Sequence, residues 1–205
     1  MKLLWSSRSP FVRKVMIAAH ETGLAGRITC ERTVVAPTKP NPEVMRGNPL
    51  NKLPTLLLGD GSAVYDSRVI VEYLDTLHEG RKLVPPTGPA RIEVLRHQAL
   101  CDGTLDFLLL GLSERARPEG QQSPELKAAL AVKFAAAFDR LDQEAPRLSA
   151  EMFGLREIAT AAVVGYADFR YGPENWREGR PALATWAAKV AERPSLVATA
   201  HVDSY

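Results

Sequence analysis

Cysteine is scarce in this sequence: Cys30 and Cys101 are the only two in 205 residues. They form neither a C-x-x-C pair nor a spacing suited to metal ligands, which argues against a disulfide framework and a metal site. Each is expected to be a packing residue. The four histidines show no mutual spacing typical of a metal site or a catalytic triad, so we expect them on the surface. The sequence therefore predicts a protein without a bound metal in a reducing compartment, the cytoplasm.

Long apolar runs and clusters of one charge are also missing. The longest apolar run, residues 107–112, is far too short to cross a bilayer. The first residues lack the apolar core and the small-residue cleavage site of a signal peptide. The net charge is only +2, and no basic stretch stands out. These features argue against nucleic acid or a membrane surface as a partner.

The order of the predicted elements changes near residue 80. Before it, short runs rich in β-branched residues alternate with amphipathic helices in the order β-α-β-α-β-β-α. Such an order predicts a parallel strand pair joined by a crossover helix, with an antiparallel hairpin at the edge. After it, only helices are predicted. The predicted strands are 2–5, 27–35, 55–58 and 63–65, and the predicted helices are 10–22, 42–46, 67–78, 90–117, 124–144, 155–169 and 181–192.

Residues 80–89 contain three prolines and two glycines, a composition typical of a linker between domains. We therefore divide the chain into an α/β domain of residues 1–79, a linker of residues 80–89 and an all-helical domain of residues 90–205. A chain of 205 residues is long enough for two small domains that each bury a core.

The first candidate site residue is Ser9, which lies between the first predicted strand and the first predicted helix. Its motif, S-P-F-V-R-K, places a hydroxyl beside the amide groups of a helix N-terminus, where negative charge is favoured. A free thiol has a pKa of about 8.5 and is mostly protonated at neutral pH, so a hydroxyl that donates to sulfur here would favour a thiolate ligand. Serine is also a common helix cap, and this motif alone favours the cap.

The second candidate lies in the motif N-P-L-N-K-L-P-T, which begins at Asn48. Pro54 follows a loop and precedes a predicted strand, where an X-Pro bond is sometimes cis. A cis bond would leave the backbone N–H and C=O of Leu53 available for pairing with an extended peptide ligand. Pro54 also fits a plain proline at an edge strand, and the motif alone favours that interpretation.

The third candidate is the pair Asp66-Ser67 at the start of a predicted helix. One of the two is expected to cap the helix. Two polar groups in succession exceed what a cap needs, and a carboxylate beside a hydroxyl suits a ligand that carries both an ammonium and a carboxylate group. The pair is weakly specific on its own.

Together, the three motifs resemble those of the glutathione S-transferase family. The combination is S-P-F near residue 10, N-P-x-x-K-x-P near residue 50 and D-S-x-x-I-x-x-Y-L near residue 66. The helical second half after a linker is similar as well, so the resemblance covers essentially the whole chain. Within the family, the sequence looks most like serine-type, small bacterial members. The implied fold is an α/β thioredoxin-like N-terminal domain followed by an all-α C-terminal domain.

The resemblance implies glutathione as co-substrate and gives each matching residue a role. Ser9 matches the serine that activates the thiol, with Ser7 as the alternative if the turn is shifted by two residues. Leu53 and the cis-proline Pro54 match the segment that pairs with the cysteinyl unit of glutathione. The remaining expected glutathione contacts are Asp66 and Ser67 for the γ-glutamyl end, Lys39 and Lys52 for the glycyl carboxylate, and Phe11 in the first motif.

The helical domain is expected to supply the pocket for the electrophile. The family usually opens its central buried helix with a Ser/Thr-x-x-Asp capping box, but this chain has Gly154-Leu155-Arg156-Glu157 there. Glycine is a tolerable cap, and Glu157 can still reach back to the helix start. The candidate pocket residues are Phe107, Leu108, Leu112 and Tyr166.

The activity implied by the resemblance is conjugation of the glutathione thiolate to electrophilic, mostly apolar small molecules, as in detoxification, by a homodimer. A fold does not fix a reaction, so two alternatives stay open. One is a glutathione-dependent isomerase, dehalogenase or peroxidase on the same scaffold. The other is a non-catalytic protein that binds glutathione or another partner.

Overall fold

The computed structural model describes residues 1–36 and 38–203. It divides into two compact units: Met1–Pro86 together with the residues from Pro194 onward, and Thr87–Arg193. Each unit is a region whose residues contact one another closely, which does not show that the unit folds independently. The predicted domain boundaries therefore stay a prediction. The last two residues of the predicted helical domain, 204 and 205, lie outside the described residues.

The first unit contains a four-stranded mixed sheet in the order β2-β1-β3-β4, with strands β1 Lys2–Trp5, β2 Thr29–Arg32, β3 Thr55–Leu57 and β4 Ala63–Val64. β1 runs parallel to β2 and antiparallel to β3, and β4 pairs antiparallel with β3. This is the predicted combination of a parallel pair with an antiparallel hairpin at the edge. The predicted second strand, 27–35, is longer than the observed β2, and the other strands differ from their predictions by at most one residue.

The helices of the first unit are α1 Pro10–Glu21, α2 Pro42–Gly47, α3 Ser67–Thr76 and, near the C-terminus, α8 Pro194–Ala198. The first three were predicted within about two residues at each end. Helix α8 was not predicted, because five residues are too short for a helical period to be visible. It packs against α1, where Ser195 Oγ donates to Glu21 Oε1 over 2.5 Å and Arg13 Nη2 donates to the Leu196 carbonyl over 3.4 Å.

The second unit is helical, as predicted, with α4 Gly88–Arg115, α5 Pro124–Glu144, α6 Leu155–Arg170 and α7 Pro181–Val190. Helix α6 is the central buried helix of this unit, since Ile158, Ala159 and Ala162 are fully buried. The prediction that Glu157 reaches back to the start of this helix is confirmed, since the Gly154 N–H donates to Glu157 Oε2 over 2.9 Å. The predicted fold class, a thioredoxin-like α/β part and an all-α part, is therefore confirmed.

One histidine does not lie on the surface. His97 is fully buried, and its two ring nitrogens lie 2.7 Å from Glu144 Oε2 and 2.8 Å from Thr160 Oγ1. The prediction that the histidines lie on the surface is wrong for His97. Hydrogen-bond partners on α5 and α6 satisfy both ring nitrogens and so offset the cost of burying the ring. Arg96 and Arg140 also bind Glu144, over 2.8 and 2.6 Å.

The cysteine expectation is confirmed for Cys101, which is fully buried, and wrong for Cys30, which is exposed on the edge strand β2. An edge strand has a neighbour on one side only, so a mid-strand position does not guarantee burial. In the described part of the chain, no helix is long and apolar enough to cross a membrane.

Candidate functional site

The sheet register brings the three sequence motifs to one end of the first unit. Strand β1 ends at Trp5, and the short segment after it leads to Ser9; Leu4, near the end of β1, is paired with Thr55, the first residue of β3. Leu56 is in turn paired with Val64, the last residue of β4. The segments after β1, before β3 and after β4 therefore meet at the same end of the sheet, and these segments carry the three motifs.

Ser9 is the N-cap of α1. Its Oγ accepts a hydrogen bond from the Val12 N–H over 3.3 Å, and its backbone N–H donates to the Ser6 carbonyl over 3.2 Å. Among the described residues, its hydroxyl hydrogen is donated to no protein group. A hydroxyl has one hydrogen to donate besides its acceptor capacity. Ser9 can therefore cap the helix and still donate to a ligand atom, so its two predicted roles are compatible.

Ser7, the alternative thiol-activating serine, has a different environment. Its Oγ donates to the Val202 carbonyl over 2.8 Å, and its own carbonyl lies 2.9 Å from His201 Nδ1. The single hydroxyl hydrogen of Ser7 is thus used by the C-terminal segment. This geometry favours Ser9 over Ser7 as a donor to a ligand.

The loop before β3 is held by Asn48, which is almost completely buried. Its Nδ2 donates to the Lys52 carbonyl over 3.2 Å and to Thr55 Oγ1 over 2.9 Å. Within this braced loop the Leu53–Pro54 peptide bond is cis. Neither the N–H nor the C=O of Leu53 is hydrogen-bonded to another group in the part of the chain that the structure describes. The backbone of Leu53 is therefore available to pair with a ligand.

Asp66 is the N-cap of α3 and lies after a cis Tyr65–Asp66 bond. Its Oδ1 accepts from the Arg68 N–H over 3.0 Å, and its Oδ2 pairs with Arg68 Nη2 over 3.0 Å. The carboxylate is half-exposed, whereas Ser67 beside it is nearly buried. Partial burial raises the pKa of Asp66, but the hydrogen bonds from Arg68 and the charges of Arg68 and Lys14 outweigh it and hold the pKa below the ordinary value.

Lys14, the last residue of the first motif, is a further feature of this site to which the sequence analysis gave no role. Its side chain is fully buried, its Nζ lies 5.6 Å from the centroid of the Phe11 ring, and its charge lowers the pKa of Asp66. Lysine is almost never fully buried without a compensating partner. Lys14 lies on the buried face of α1, since Pro10 and Ala18, four residues before and after it, are also buried.

Asn51 connects the two loops that carry the predicted lysines. Its Oδ1 accepts from the Asn41 N–H over 3.0 Å, and its Nδ2 donates to the Lys39 carbonyl over 3.3 Å. Lys52 follows Asn51 directly, and both lysine side chains are exposed. The structure therefore joins these loops and leaves both ammonium groups accessible to an anionic ligand.

A cavity of about 180 Å³ lies beside Ser9 and is formed by the first unit alone. Its walls include Met16 of α1, Cys30 of β2 and the C-terminal residues 198–200. The sequence analysis did not predict it, because its walls come from segments far apart in the chain.

The residues predicted to form the electrophile pocket lie on α4 and α6 of the second unit. Leu108 and Tyr166 are almost completely buried, whereas Phe107 and Leu112 are partly accessible. Burial raises the pKa of Tyr166 to about 12, so its hydroxyl stays protonated at neutral pH. The burial of Leu108 and Tyr166 is that of core residues, and a binding role for the four stays a prediction. Within the described ranges, no three His, Cys, Asp or Glu side chains form a group suited to a metal ion.

The chain matches two models of protein families. The description "Glutathione S-transferase, N-terminal domain" matches residues 8–77, and "Glutathione S-transferase, C-terminal domain" matches residues 124–189. YibF, an uncharacterised GST-like protein of Escherichia coli (strain K12), is 32% identical over 201 residues, which are 97% of this chain and 98% of the relative.

Solved structures show the same likeness. A glutathione transferase family member from Pseudomonas fluorescens Pf-5, with bound glutathione, is 36% identical with a TM-score of 0.94 and 98% of each chain covered. A glutathione S-transferase from Methylobacillus flagellatus KT, with GSH bound, is 37% identical with a TM-score of 0.86, covering 98% of this chain and 99% of that one. The fold, the three motifs and these matches agree, and the chain belongs to the glutathione S-transferase family.

Proposed function

We propose that this protein is a cytoplasmic glutathione S-transferase that joins the glutathione thiolate to small electrophiles, with Ser9 as the group that stabilises the thiolate. The observation that carries the proposal is the meeting of three segments at one end of the sheet. They supply a hydroxyl with a hydrogen to donate, an unpaired backbone at Leu53 and an ionised carboxylate at Asp66.

Glutathione would bind in an extended form across these three segments. The backbone of Leu53 would pair with its cysteinyl unit in the manner of an added β-strand. Asp66 would accept from the γ-glutamyl ammonium group, with Ser67 beside the neighbouring carboxylate. Lys39 and Lys52 would attract the glycyl carboxylate, and Phe11 would border the site. Two solved relatives contain bound glutathione, which supports glutathione as the co-substrate.

The chemical step needs a thiolate at neutral pH. The Ser9 hydroxyl would donate to the sulfur, and the N-terminus of α1 would favour its negative charge. The thiol proton is released to solvent, the sulfur attacks an electrophilic carbon, and with a halide substrate the C–S bond forms while the halide leaves with the C–X electron pair. The protein contributes thiolate stabilisation and orientation of the two substrates.

The decisive variant is Ser9→Ala, measured with a generic aryl halide. Hydrogen bonds to charged groups contribute about 1.5–3 kcal/mol, so we expect kcat to fall roughly 10- to 100-fold. The pKa of the enzyme-bound thiol, measured by ultraviolet absorbance of the thiolate, should rise toward that of free glutathione.

Ser123→Ala is the matched control. Ser123 also precedes a proline and caps a helix, since its Oγ accepts from the Leu126 N–H over 3.2 Å, but it belongs to the second unit and to none of the three motifs. It should lose about 1 kcal/mol of stability and no activity. A Ser9→Ala rate equal to the wild-type rate would refute the role of Ser9, and a large loss in Ser7→Ala alone would transfer that role to Ser7.

Product analysis separates conjugation from the other glutathione-dependent reactions of this fold. Conjugation consumes one glutathione for each electrophile, whereas an isomerase returns glutathione unchanged and a peroxidase yields its disulfide. A glutathione-binding protein without activity would bind and show no turnover. We expect stoichiometric consumption and a thioether product.

A further inference from the structure

Arg156, in the first turn of α6, has few partners for an arginine that is largely buried. Only 17% of its side chain is exposed. Its ion-pair partner, Glu93 Oε2, lies 3.6 Å away, which is too far for a hydrogen bond. In the part of the chain that the structure describes, its guanidinium donates no hydrogen bond, and its Nε is completely buried. Arginine is seldom buried without partners for its donors, so this position favours a ligand that accepts hydrogen bonds.

Glu93 is shared between two arginines. Arg147 Nη1 donates to Glu93 Oε1 over 2.7 Å, while Arg156 faces the other carboxylate oxygen. Each guanidinium has five N–H donors, whereas the carboxylate has two oxygens and a single negative charge. Among the described residues, Arg147 uses only one of its nitrogens in a hydrogen bond. The two arginines together therefore keep one positive charge and most of their donors.

Two further arginines lie beside this pair. Arg96 stands one turn from Glu93 on α4, and its Nη2 binds Glu144 over 2.8 Å. Arg140 of α5 binds the same carboxylate through its Nε over 2.6 Å. The hydrogen bond to Glu144 raises the pKa of Arg96, and the charges of Glu144 and Glu93 add to this effect, so Arg96 lies close to both carboxylates. We call the four side chains the arginine cluster: Arg96, Arg140, Arg147 and Arg156.

The arginine cluster carries more positive charge than its partners neutralise. Within the described residues, its ion pairs involve only the carboxylates of Glu93 and Glu144, so four guanidinium groups face two negative charges. His97 adds no charge at neutral pH. Burial lowers the pKa of His97, and the charges of Arg156 and Arg96 lower it further, against the opposing effect of Glu144. Two positive charges of the cluster are therefore left without a counter-charge.

Glu157 follows Arg156 on α6 but is engaged with the start of the helix. Its Oε1 accepts from the Ser149 N–H over 3.0 Å, and its Oε2 accepts from the Gly154 N–H over 2.9 Å. A positive charge in the first turn of a helix is itself unfavourable, whereas an anion there is favoured. The surroundings of Arg156 thus favour a bound anion over the arginine alone.

We propose that the arginine cluster binds a phosphate group, either free or carried by a small molecule as a monoester. Such a group has about 1.5 to 2 negative charges at pH 7, which matches the excess of the cluster. Its oxygens suit the planar donor fork of a guanidinium. Arg147 and Arg156 donate to it, and Arg96 attracts it. All four arginines belong to the second unit, so the site is independent of the proposed glutathione site.

The test is a calorimetric titration of the full chain in a phosphate-free buffer. The probes are inorganic phosphate and phenyl phosphate, and we expect one site per chain with a Kd of about 1 mM or tighter. A tighter Kd for phenyl phosphate would assign the site to a phosphate ester, and equal values would assign it to the phosphate group alone. No binding of either probe, or a heat no larger than that of sodium chloride at the same ionic strength, would overturn the proposal.

Charge changes at the cluster should act in opposite directions. Arg147→Met and Arg156→Met each remove donors to the phosphate group, so the Kd should rise roughly 10- to 100-fold, as for the loss of a hydrogen bond to a charged group. Glu93→Gln removes the carboxylate that competes with phosphate, so the Kd should fall. Because the Arg147 side chain is 62% exposed, its variant keeps the test valid even if Arg156→Met impairs folding.

Arg117→Met is the matched control. Arg117 is also an exposed arginine of the second unit that binds a glutamate, since its Nη1 lies 3.1 Å from Glu114 Oε2. Glu114 lies about 30 Å further along α4 than Glu93, so this variant removes the same charge outside the cluster. It should keep the Kd for phosphate. If Arg147→Met binds phosphate as tightly as Arg117→Met, or if Glu93→Gln leaves the Kd unchanged, the cluster does not bind the phosphate group.

Discussion

Ser9 and Ser123 show how one local structure serves two purposes. Both serines precede a proline and cap a helix through the same bond to the third helical N–H. Ser9 lies near Leu53 and Asp66, because the register of β1 with β3 and of β3 with β4 brings those segments to its end of the sheet, whereas Ser123 belongs to the other unit. A serine at a helix start is therefore a cap by default, and its surroundings decide whether it is also a catalytic candidate.

At the residue scale, Asp66→Asn tests the contact with the γ-glutamyl ammonium group. The substitution keeps the shape but removes the negative charge, so we expect the Kd for glutathione to rise roughly 10- to 100-fold, as for the loss of a charge-assisted hydrogen bond. Calorimetric titration measures it. Asp60→Asn is the control, since Asp60 caps the Ser62 N–H in an exposed turn. Equal affinities of the Asp66 variant and the wild type would remove Asp66 from the site.

The pH dependence of glutathione binding tests the role of Lys14. The pKa of Asp66 lies below its ordinary value, so the carboxylate stays ionised, and binding persists, until the pH falls through that lowered pKa. Lys14→Met removes one of the charges that lower it, so the acid loss of binding should move to higher pH, while Lys14→Arg should restore the profile. If Lys14→Met loses glutathione binding at the same acid pH as the wild type, this lysine affects packing alone.

At the scale of elements, three helices of the second unit meet at one buried carboxylate. Glu144 of α5 binds His97 and Arg96 of α4, and His97 binds Thr160 of α6. Burial raises the pKa of Glu144, but the hydrogen bonds from Arg96, His97 and Arg140 outweigh it and lower the pKa from 4.5 to about 2. The network fixes how α4, α5 and α6 pack, and no substrate contact is needed to explain it.

Glu144→Gln should destabilise the protein by about 2–3 kcal/mol, because it leaves His97 and the two arginines without their anionic partner. The wild-type contribution is complete above the ordinary pKa and is lost as the pH falls from about 4.5 toward about 2. Urea unfolding at neutral and acid pH should therefore show the two proteins converging at low pH. Glu31→Gln breaks an exposed pair with Lys2 and should cost less than about 1 kcal/mol. A similar loss in both variants would contradict the account.

Periodicity and turn chemistry were sufficient to predict most elements. The strands and the longer helices follow from β-branched runs, helical spacing and proline at the first helical position, all of which act locally. Features that depend on distant residues were not visible in the sequence: the burial of His97, the burial of Lys14 beside Asp66, and the cavity that residues 198–200 help to line. Helix α8 was missed because five residues show no period.

At the scale of the whole molecule, the homodimer that the resemblance of the motifs implies stays a prediction. The first unit exposes several large apolar side chains, among them Leu50 after α2 and Val69 on α3, at 60% and 52% of their full accessibility. Exposed apolar side chains of this size are frequent at interfaces between subunits. We propose that they contribute to the contact with a second copy of the chain.

Sedimentation analysis tests this assembly. The wild-type protein should sediment with twice the 22.5 kDa chain mass. Leu50→Glu combined with Val69→Glu should shift it toward the monomer, because a charge buried without a partner opposes association. Val132→Glu is the control, since Val132 is 70% exposed on α5 of the second unit. A monomeric wild type would contradict the expected dimer, and a dimer unaffected by the paired change would place the interface elsewhere.

Binding of glutathione at the end of the sheet is the central claim, and calorimetric titration of the purified wild-type protein with glutathione tests it most directly. We expect one site per chain with a Kd of about 1 mM or tighter, weakened by Asp66→Asn and unchanged by Asp60→Asn. Absence of binding heat at several temperatures, or a titration that Asp66→Asn leaves unaltered, would contradict the claim.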